Sequence, residues 1–186
     1  MSLDDKAVVS SKKVFDCKWL KVFKEKIRYP DGKVKDYYTL ERDNDYVVIL
    51  AIKDGKIILE KQWRAPLRQW IWEIPMGARN SSETPAQAAK RELQEETGYK
   101  AKQITHLGSY WLAPGYSNQL GNVFLVDDFE KEMKTQSKEE AEYELIETKL
   151  LSLATFENMI ASGKIMDLST IGAYMLYKSK IKKMSS

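Results

Sequence analysis

The chain has 186 residues and a mass of 21.5 kDa, enough for a domain with a real core, and it contains neither an apolar stretch long enough to span a membrane nor a visible signal peptide, so we expect a cytoplasmic protein without a membrane partner. The formal net charge of +3 is small and spread along the chain, which gives little support for a nucleic-acid partner, and none is expected. Cys17 is the only cysteine and His106 the only histidine, which excludes an intramolecular disulfide and a zinc site built from cysteine and histidine.

The N-terminal part of the chain predicts antiparallel strands. Residues 1–12 are polar, and we expect them to be frayed. Strand-like runs over 15–29 and 33–40 then flank a Pro-Asp-Gly sequence at 30–32. Turn residues between two such runs predict a β-hairpin.

A second hairpin and a short strand are predicted next. Runs over 46–53 and 56–62 flank Asp54-Gly55, and an Asp-Gly pair between apolar runs is a strong signal for a two-residue hairpin turn. The apolar segment 70–75 predicts a short strand, which leads directly into the acidic part of the sequence.

The residues that follow predict a helix with clear ends. Thr84 is a suitable N-cap, Pro85 suits the first helical position, and Gln87 completes a capping box. Gly98 is expected to end the helix.

Three carboxylates lie on one face of this predicted helix. Glu92, Glu95 and Glu96 are spaced i, i+3 and i+4, so they repel one another and would destabilise a bare helix. A hard divalent cation among them would remove the repulsion, because carboxylate oxygens suit Mg²⁺ or Mn²⁺. Arg91, four residues before Glu95, can hold a carboxylate in a fixed rotamer. The alternative is an ordinary solvated acidic face, which these three glutamates alone do not exclude.

The C-terminal half predicts further strands and two helices, with a loop at 113–117 indicated by its Ala-Pro-Gly-Tyr-Ser composition. The predicted elements are strands over 104–111, 122–127 and 145–151 and helices over 153–162 and 169–182. The order of strands, helix, strands and helices indicates an α+β protein, with a mixed sheet that carries helices on its faces.

The stretch from residue 77 to residue 99 resembles the Nudix box, Gly-x5-Glu-x7-Arg-Glu-aliphatic-x-Glu-Glu-x-Gly-aliphatic. The glycine and polar positions that agree are Gly77, Glu83, Arg91, Glu92, Glu95, Glu96 and Gly98. Leu93 fits the first aliphatic position, whereas Tyr99 departs from the last one, which packs and does no chemistry. A motif of this length is far more specific than a short glycine motif, and it makes the solvated acidic face a poor explanation.

The resemblance implies a fold and an organisation. The fold would be the Nudix fold, an α/β/α sandwich with a mixed central sheet, here preceded by an N-terminal β-hairpin extension. We expect residues 1–44 to form that extension and residues 45–186 to form the Nudix hydrolase domain. In related proteins such an extension packs across a homodimer, so a homodimer is expected, with an extra hairpin on a monomer as the alternative.

Segments outside the box are similar to those of ADP-ribose pyrophosphatases and related nucleotide-sugar hydrolases. The similar segments are Lys-Gln-Trp-Arg at 61–64, Glu-Ile-Pro-Met-Gly at 73–77, the Pro114 loop and Gly-Lys-Ile at 163–165. Ala113 stands where this branch usually has serine, and Gln119 stands where many of its members have an acidic residue. Both departures lie in the loop expected to touch substrate, so they leave the sugar open.

The family resemblance also implies roles for the box residues. The expected metal ligands are the backbone carbonyl of Met76 and the carboxylates of Glu92, Glu95 and Glu96, with Mg²⁺ as the cofactor and Mn²⁺ as a substitute. Arg91 and Glu83 are expected to orient these ligands, and Arg91 and Glu95 count among the catalytic residues. Glu73 is open between a similar role and a structural one.

A general base and a substrate pocket complete the expected site. In this branch the base comes from an acidic loop after the box, and we favour Glu142, with Glu144 second, over a purely solvated charge run. For the substrate, Arg64 and more weakly Arg42 are expected to bind phosphate. Pro114, Tyr116 and Gln119 belong to the expected substrate loop, and Tyr116, Tyr38 and Trp19 are candidates for stacking on the nucleobase.

The implied activity is Mg²⁺-dependent hydrolysis of the diphosphate linkage of ADP-ribose or another nucleoside-diphosphate sugar, giving a nucleoside monophosphate and a sugar phosphate. Two alternatives remain at this point. One is a module that binds such a nucleotide without cleaving it. The other is a Nudix enzyme that acts on nucleoside triphosphates or capped RNA.

Overall fold

The computed structural model describes residues 7–135 and 146–184. These residues form two compact units. The first comprises the residues up to 45 together with 111–120, and the second comprises 46–110 together with the residues from 121 onward. The division into domains over 1–44 and 45–186 stays a prediction, because a compact unit is not by itself an independent domain.

The first unit is built on a three-stranded antiparallel sheet, not on a hairpin alone. Its strands are β1 (Val8–Asp16), β2 (Lys21–Arg28) and β3 (Val34–Glu41), paired in that order. The Pro-Asp-Gly hairpin is confirmed, with Gly32 at a φ of 80°. The expectation of a frayed segment over 1–12 is wrong from residue 8 onward, because β1 pairs with β2 along its length despite its polar composition.

The strand predicted over 15–29 is also wrong in one respect, since a turn interrupts it. Residues 17–20 reverse the chain between β1 and β2, and the amide of Cys17 donates to the carbonyl of Leu20 at 3.1 Å. None of the described residues in the three strands is fully buried. As far as the described part of the chain shows, this sheet therefore has no buried face.

The second unit contains a mixed sheet and three helices. Its elements are β4 (Tyr46–Lys53), β5 (Lys56–Arg64), β6 (Gln69–Glu73), β7 (Met76–Ala78), α1 (Pro85–Thr97), β8 (Tyr99–Trp111), β9 (Leu120–Lys131), β10 (Ile146–Ser152), α2 (Leu153–Ala161) and α3 (Leu168–Met184). The main strand order is β10-β5-β4-β9-β8, with β4 and β9 parallel. None of the helices in the described part of the chain is long and apolar enough to cross a membrane.

Strands β4 and β5 separate shortly after the turn that joins them. They pair at Ile52 with Ile57 next to that turn, and farther along β5 pairs with β6 while β4 pairs with β7. The amide of Ile49 donates to the carbonyl of Pro75 at 2.9 Å, which fixes the segment between β6 and β7 in the gap. The split therefore brings Met76 and Gly77 into the middle of the sheet, next to β4.

Alternation along β4 supplies two separate cores. Val47 and Ile49 face one side, where they pack with Leu93 of α1. Val48 and Leu50 face the other side, where they pack with residues of α2 and α3 such as Phe156. The expected α/β/α sandwich with a mixed sheet is confirmed, because helices cover both faces.

The ends of α1 agree with the sequence prediction. The amide of Gln87 donates to the Thr84 hydroxyl at 3.3 Å, and the Gln87 side chain accepts from the Thr84 amide at 2.9 Å, which completes the capping box. Gly98 ends the helix at a φ of 70°, a conformation that costs glycine little. The position of the acidic face of α1 is thus fixed at both ends of the helix.

Strands β8 and β9 are both longer than the sequence predicted. The extra residues carry charges, which hid the strand pattern. Lys102 pairs across the two strands with Glu130 at 2.8 Å, and Lys100 pairs at 3.1 Å with Glu132, which directly follows β9. Cross-strand charge pairs of this kind support a sheet without any apolar alternation.

Candidate active site

The acidic face of α1 lies against β7. The carboxylate of Glu92 packs directly on the Cα of Gly77, so closely that a Cβ at that position would overlap it. Gly77 has no positive φ, so the glycine is required for space and not for backbone conformation. Glu92 is thereby held beside Met76, whose carbonyl is a predicted metal ligand.

Arg91 is the centre of the hydrogen-bond network on this face. Its Nε and Nη2 donate to the two oxygens of Glu83 at 2.7 and 3.0 Å. Its Nη1 donates to Glu92 Oε1 and to Glu95 Oε2, both at 2.8 Å. Its Nη2 also donates to the carbonyl of Ala78 at 3.0 Å. One guanidinium therefore orients two predicted metal ligands and ties α1 to the end of β7.

Glu83 is held from more than one side. Besides the fork from Arg91, its Oε2 accepts from the amide of Asn80 at 3.1 Å, and its backbone carbonyl accepts from Arg79 Nη1 at 2.9 Å. The hydrogen bonds from Arg91 are the main reason that the pKa of Glu83 lies below its usual value, and the pKa of Arg91 is raised in return. Glu83 is thus a fixed anion that keeps Arg91 in place.

The inner side of α1 meets a second group of carboxyls. Glu96 is 6% exposed, and Glu60 of β5 is 1% exposed. Thr148 lies opposite Glu60 in the strand register, and its hydroxyl donates to the backbone carbonyl of Glu96 at 3.4 Å, so the two glutamates are neighbours. Glu73 of β6 lies directly opposite Glu60 in the strand register. Burial, together with the nearby charge of Glu73, raises the pKa of Glu60 to about 8. Three glutamates thus share a nearly solvent-free region.

Arg64 neutralises part of this negative charge. Its Nη2 lies 2.8 Å from Glu73 Oε1, and its Nε lies 3.3 Å from Glu73 Oε2. Burial raises the pKa of Glu73, and Arg64 acts in the opposite direction. The guanidinium therefore turns its fork towards a protein carboxylate, and its binding to a substrate phosphate stays a prediction.

The donor set around α1 fits a hard divalent cation. The predicted ligands all offer oxygen, which Mg²⁺ and Mn²⁺ prefer, and Gly77 leaves the space that brings Glu92 next to the backbone. In residues 7–135 and 146–184 no three histidine, cysteine, aspartate or glutamate side chains close into a cage.

The first unit contains the predicted substrate loop. The loop is fixed to β3 by the Tyr37 hydroxyl, which donates to the carbonyl of Gly115, and by the amide of Leu40, which donates to the carbonyl of Tyr116 at 2.6 Å. A cavity of about 350 Å³ lies beside it. Its lining includes Tyr37, Leu40, Glu41, Trp111, Pro114 and Tyr116. Exposed aromatic rings at its edge suit a flat ligand.

The other predicted substrate residues make fewer side-chain contacts or are exposed. Gln119 contributes backbone bonds, accepting from the amide of Leu112 at 3.1 Å and donating to the Ser117 hydroxyl at 3.2 Å. Arg42 is exposed. Among the stacking candidates, Trp19 is 69% and Tyr38 is 56% exposed, and neither of these two rings lines the cavity.

The two candidates for the general base, Glu142 and Glu144, lie outside the described residues. The structure also places three residues at these sites that the sequence did not predict there. Tyr37 and Trp111 line the cavity, and Glu60 lies beside Glu96. Glu60 could have been identified from the sequence as a single charged residue at the end of an Ile-Ile-Leu run in a well-defined hairpin strand.

Comparisons with known proteins match most of the chain to two family models. Residues 42–166 match the family model of the NUDIX domain, and residues 7–40 match that of the nucleoside diphosphate sugar hydrolase N-terminal domain. Among solved structures, one described as the crystal structure of ADP compounds hydrolase superposes with a TM-score of 0.84 at 20% identity, covering 95% of this chain and 94% of that one. This structural likeness concerns the fold.

Two curated relatives are similar over most of their length. The chain is 30% identical over 182 residues to the ADP-ribose pyrophosphatase of Bacillus subtilis (strain 168), covering 98% of this chain and 96% of that protein. It is 27% identical over 170 residues to the methanol dehydrogenase activator of Bacillus methanolicus, covering 91% and 90%.

Replacing Gly77 with alanine is expected to weaken the binding of Mn²⁺ by about 10–100-fold, the range typical for disturbing the support of a metal ligand. The added methyl group would displace the Glu92 carboxylate, which is the flexible end of a side chain. Since φ is not positive, the backbone accepts alanine and the urea midpoint should barely change. Electron paramagnetic resonance of free Mn²⁺ measures the affinity.

Gly115→Ala is the matched control, because a Cβ there meets no atom within 4 Å. It should bind Mn²⁺ like the wild-type protein. Equal Mn²⁺ affinities for the wild-type, Gly77→Ala and Gly115→Ala proteins would contradict the placement of Glu92 on Gly77.

Proposed function

The chain belongs to the Nudix hydrolase family, and from this membership we propose that it hydrolyses the diphosphate linkage of a nucleoside-diphosphate sugar, with ADP-ribose as the leading candidate. Water would add to one phosphorus, and the bond to the bridging oxygen would break, which gives a nucleoside monophosphate and a sugar phosphate. The observation that carries the proposal is the acidic face of α1, where Arg91 holds Glu92 and Glu95 and where Glu92 packs on Gly77.

Nudix hydrolases use a divalent metal, and here we propose Mg²⁺, held by Glu92, Glu95, Glu96 and the carbonyl of Met76. The chemistry that the cation supplies when bound is neutralisation of the negative charge on the diphosphate oxygens. The protein's own contribution is positioning. Arg91 keeps two of the carboxylates from swinging into solvent, and Gly77 lets Glu92 approach the backbone.

A base must remove a proton from the attacking water, and Glu142 is our candidate, with Glu144 as the second. Neither residue lies in the described part of the chain, so this assignment rests on the family resemblance. Glu95 and Arg91 assist by orienting the site. Glu83 accepts two hydrogen bonds from Arg91 and so supports the guanidinium that orients Glu92 and Glu95.

We assign recognition of the nucleoside to the loop that contains Pro114, Tyr116 and Gln119. Tyr116 is 58% exposed at the edge of the cavity, so its ring is available for stacking. The order of this loop depends on β3, through the bonds from Tyr37 and Leu40. Arg64 and Arg42 remain the proposed phosphate contacts.

The direct test is incubation of the purified chain with Mg²⁺ and a panel of ADP-ribose, other nucleotide sugars, nucleoside triphosphates and capped RNA, with products separated by chromatography. We expect AMP and ribose phosphate from ADP-ribose, or the corresponding pair from another nucleotide sugar. Tight binding with the ligand recovered intact would indicate a non-catalytic binding module. Preferred cleavage of a triphosphate or of capped RNA would indicate a different substrate class.

Substitution of Glu96 and of Glu142 should have different consequences. Glu96→Gln keeps the volume but loses a negative ligand, so Mn²⁺ affinity should fall, and added Mg²⁺ should restore only part of the rate. Glu142→Gln should leave Mn²⁺ affinity nearly unchanged and lower kcat by roughly 10²–10⁴, the usual worth of a general base. Steady-state kinetics and Mn²⁺ titration separate the two effects.

Glu144→Gln is the matched control for this pair. A nearly inactive Glu144→Gln protein beside a fully active Glu142→Gln protein would move the base to Glu144. Full activity in both variants would show that the base lies elsewhere.

We further propose that the protein is a homodimer that buries the sheet of β1, β2 and β3. Apolar side chains on β1 are exposed, with Val8 at 43%, Val14 at 48% and Phe15 at 53%, and a sheet without a buried face is poorly stable. Light scattering coupled to size-exclusion chromatography should give twice the mass of the chain. Phe15→Glu should shift the mass towards the monomer, whereas a monomeric wild-type protein would reject the proposal.

A further inference from the structure

Strand β5 contributes a carboxyl group to the interior beside α1. Glu60 follows three apolar residues of that strand and is itself 1% exposed. Ile58 packs in the core under α1, and residues two apart in a strand share a face, so Glu60 faces α1 as well. There it lies beside Glu96, because Thr148, which is opposite Glu60 on β10, donates its hydroxyl to the backbone carbonyl of Glu96 at 3.4 Å.

The Glu60 carboxyl is incompletely satisfied by the protein. Its Oε1 has no hydrogen bond with any group in residues 7–135 and 146–184. Positive charge comes from Arg64 and Lys134, but Arg64 directs its fork to Glu73, the residue opposite Glu60 on β6. A buried carboxyl oxygen without a hydrogen-bond partner is costly even when the group is neutral, so this oxygen calls for a ligand that the described groups do not supply.

Packing alone does not account for a glutamate at this position. Apolar residues of similar volume at buried ionic positions are often neutral or stabilising, and the three residues before Glu60 are apolar already. Leucine at residue 60 is therefore expected to leave the strand about as stable as it is now. The carboxyl must then be explained by the group that it faces.

We propose that Glu60 is a further acidic residue of the metal centre, which acts on the divalent cation together with Glu96. This inference rests on the proposed function, which is the reason for placing a divalent cation at the acidic face of α1. It adds a carboxylate from the central sheet to those of α1. The cation would then be held between two secondary-structure elements, so its binding would also join β5 to the C-terminal half of α1.

The test measures metal binding without substrate. Isothermal titration calorimetry with Mn²⁺ on the full chain should show that Glu60→Gln binds the ion about 10–100-fold more weakly than wild type. In EDTA the unfolding temperature of Glu60→Gln should equal or exceed that of wild type, because a buried carboxyl becomes a neutral amide of the same size. The rise in unfolding temperature on adding Mn²⁺ should be smaller in the variant.

Two further variants complete the design. Glu60→Asp keeps the charge but withdraws it from Glu96, so its Mn²⁺ affinity should fall between those of wild type and Glu60→Gln. Glu157→Gln makes the same chemical change on α2, which packs against the other face of the sheet, and it should bind Mn²⁺ like wild type.

Wild-type Mn²⁺ affinity in both Glu60→Gln and Glu60→Asp would overturn the proposal. So would a lower unfolding temperature of Glu60→Gln in EDTA together with unchanged Mn²⁺ affinity, since that result is the signature of a structural residue. The proposed function is tested by a different result. It would be rejected if the wild-type protein bound Mn²⁺ but hydrolysed none of the nucleotide sugars.

Discussion

Mutual repulsion among the glutamates of α1 is the constraint on which the rest of the site depends. Within two helical turns the face presents Glu92, Glu95 and Glu96, and without a counter-charge these side chains would spread into solvent. Arg91 meets two of them at 2.8 Å while Glu83 fixes the other side of its guanidinium. A guanidinium remains charged at every pH at which proteins fold, so these ion pairs weaken only where the carboxylates themselves become protonated, at acidic pH.

The split between β4 and β5 places β7 next to the acidic face of α1. A continuous pairing of the two strands would leave no place for β7, and the segment around Gly77 would lie on the surface. Because β6 and β7 fill the gap, Gly77 comes under Glu92, and Glu73 comes opposite Glu60. Both groups of carboxyls, one on the outer and one on the inner side of α1, thus follow from a single feature of the sheet.

Local signals predicted α1 well, because its caps and its box depend on neighbours within a few residues. The capping box of Thr84 and the end at Gly98 are confirmed by the structure. β1 was missed, because a polar strand is held by its pairing with β2 and not by an apolar pattern. The sequence also did not predict that Glu60 lies beside Glu96, because β5 and α1 are brought together only by the tertiary fold.

The position of a bound divalent cation tests the central claim most directly. Anomalous scattering from crystals grown with Mn²⁺ would locate the ion without any assumption about substrate. The account predicts Mn²⁺ at the acidic face of α1, with carboxylate oxygens of Glu92 and Glu96 among its ligands and Arg91 still bound to Glu83. An ion bound at another place, with Glu92 and Glu95 held by Arg91 alone, would contradict it.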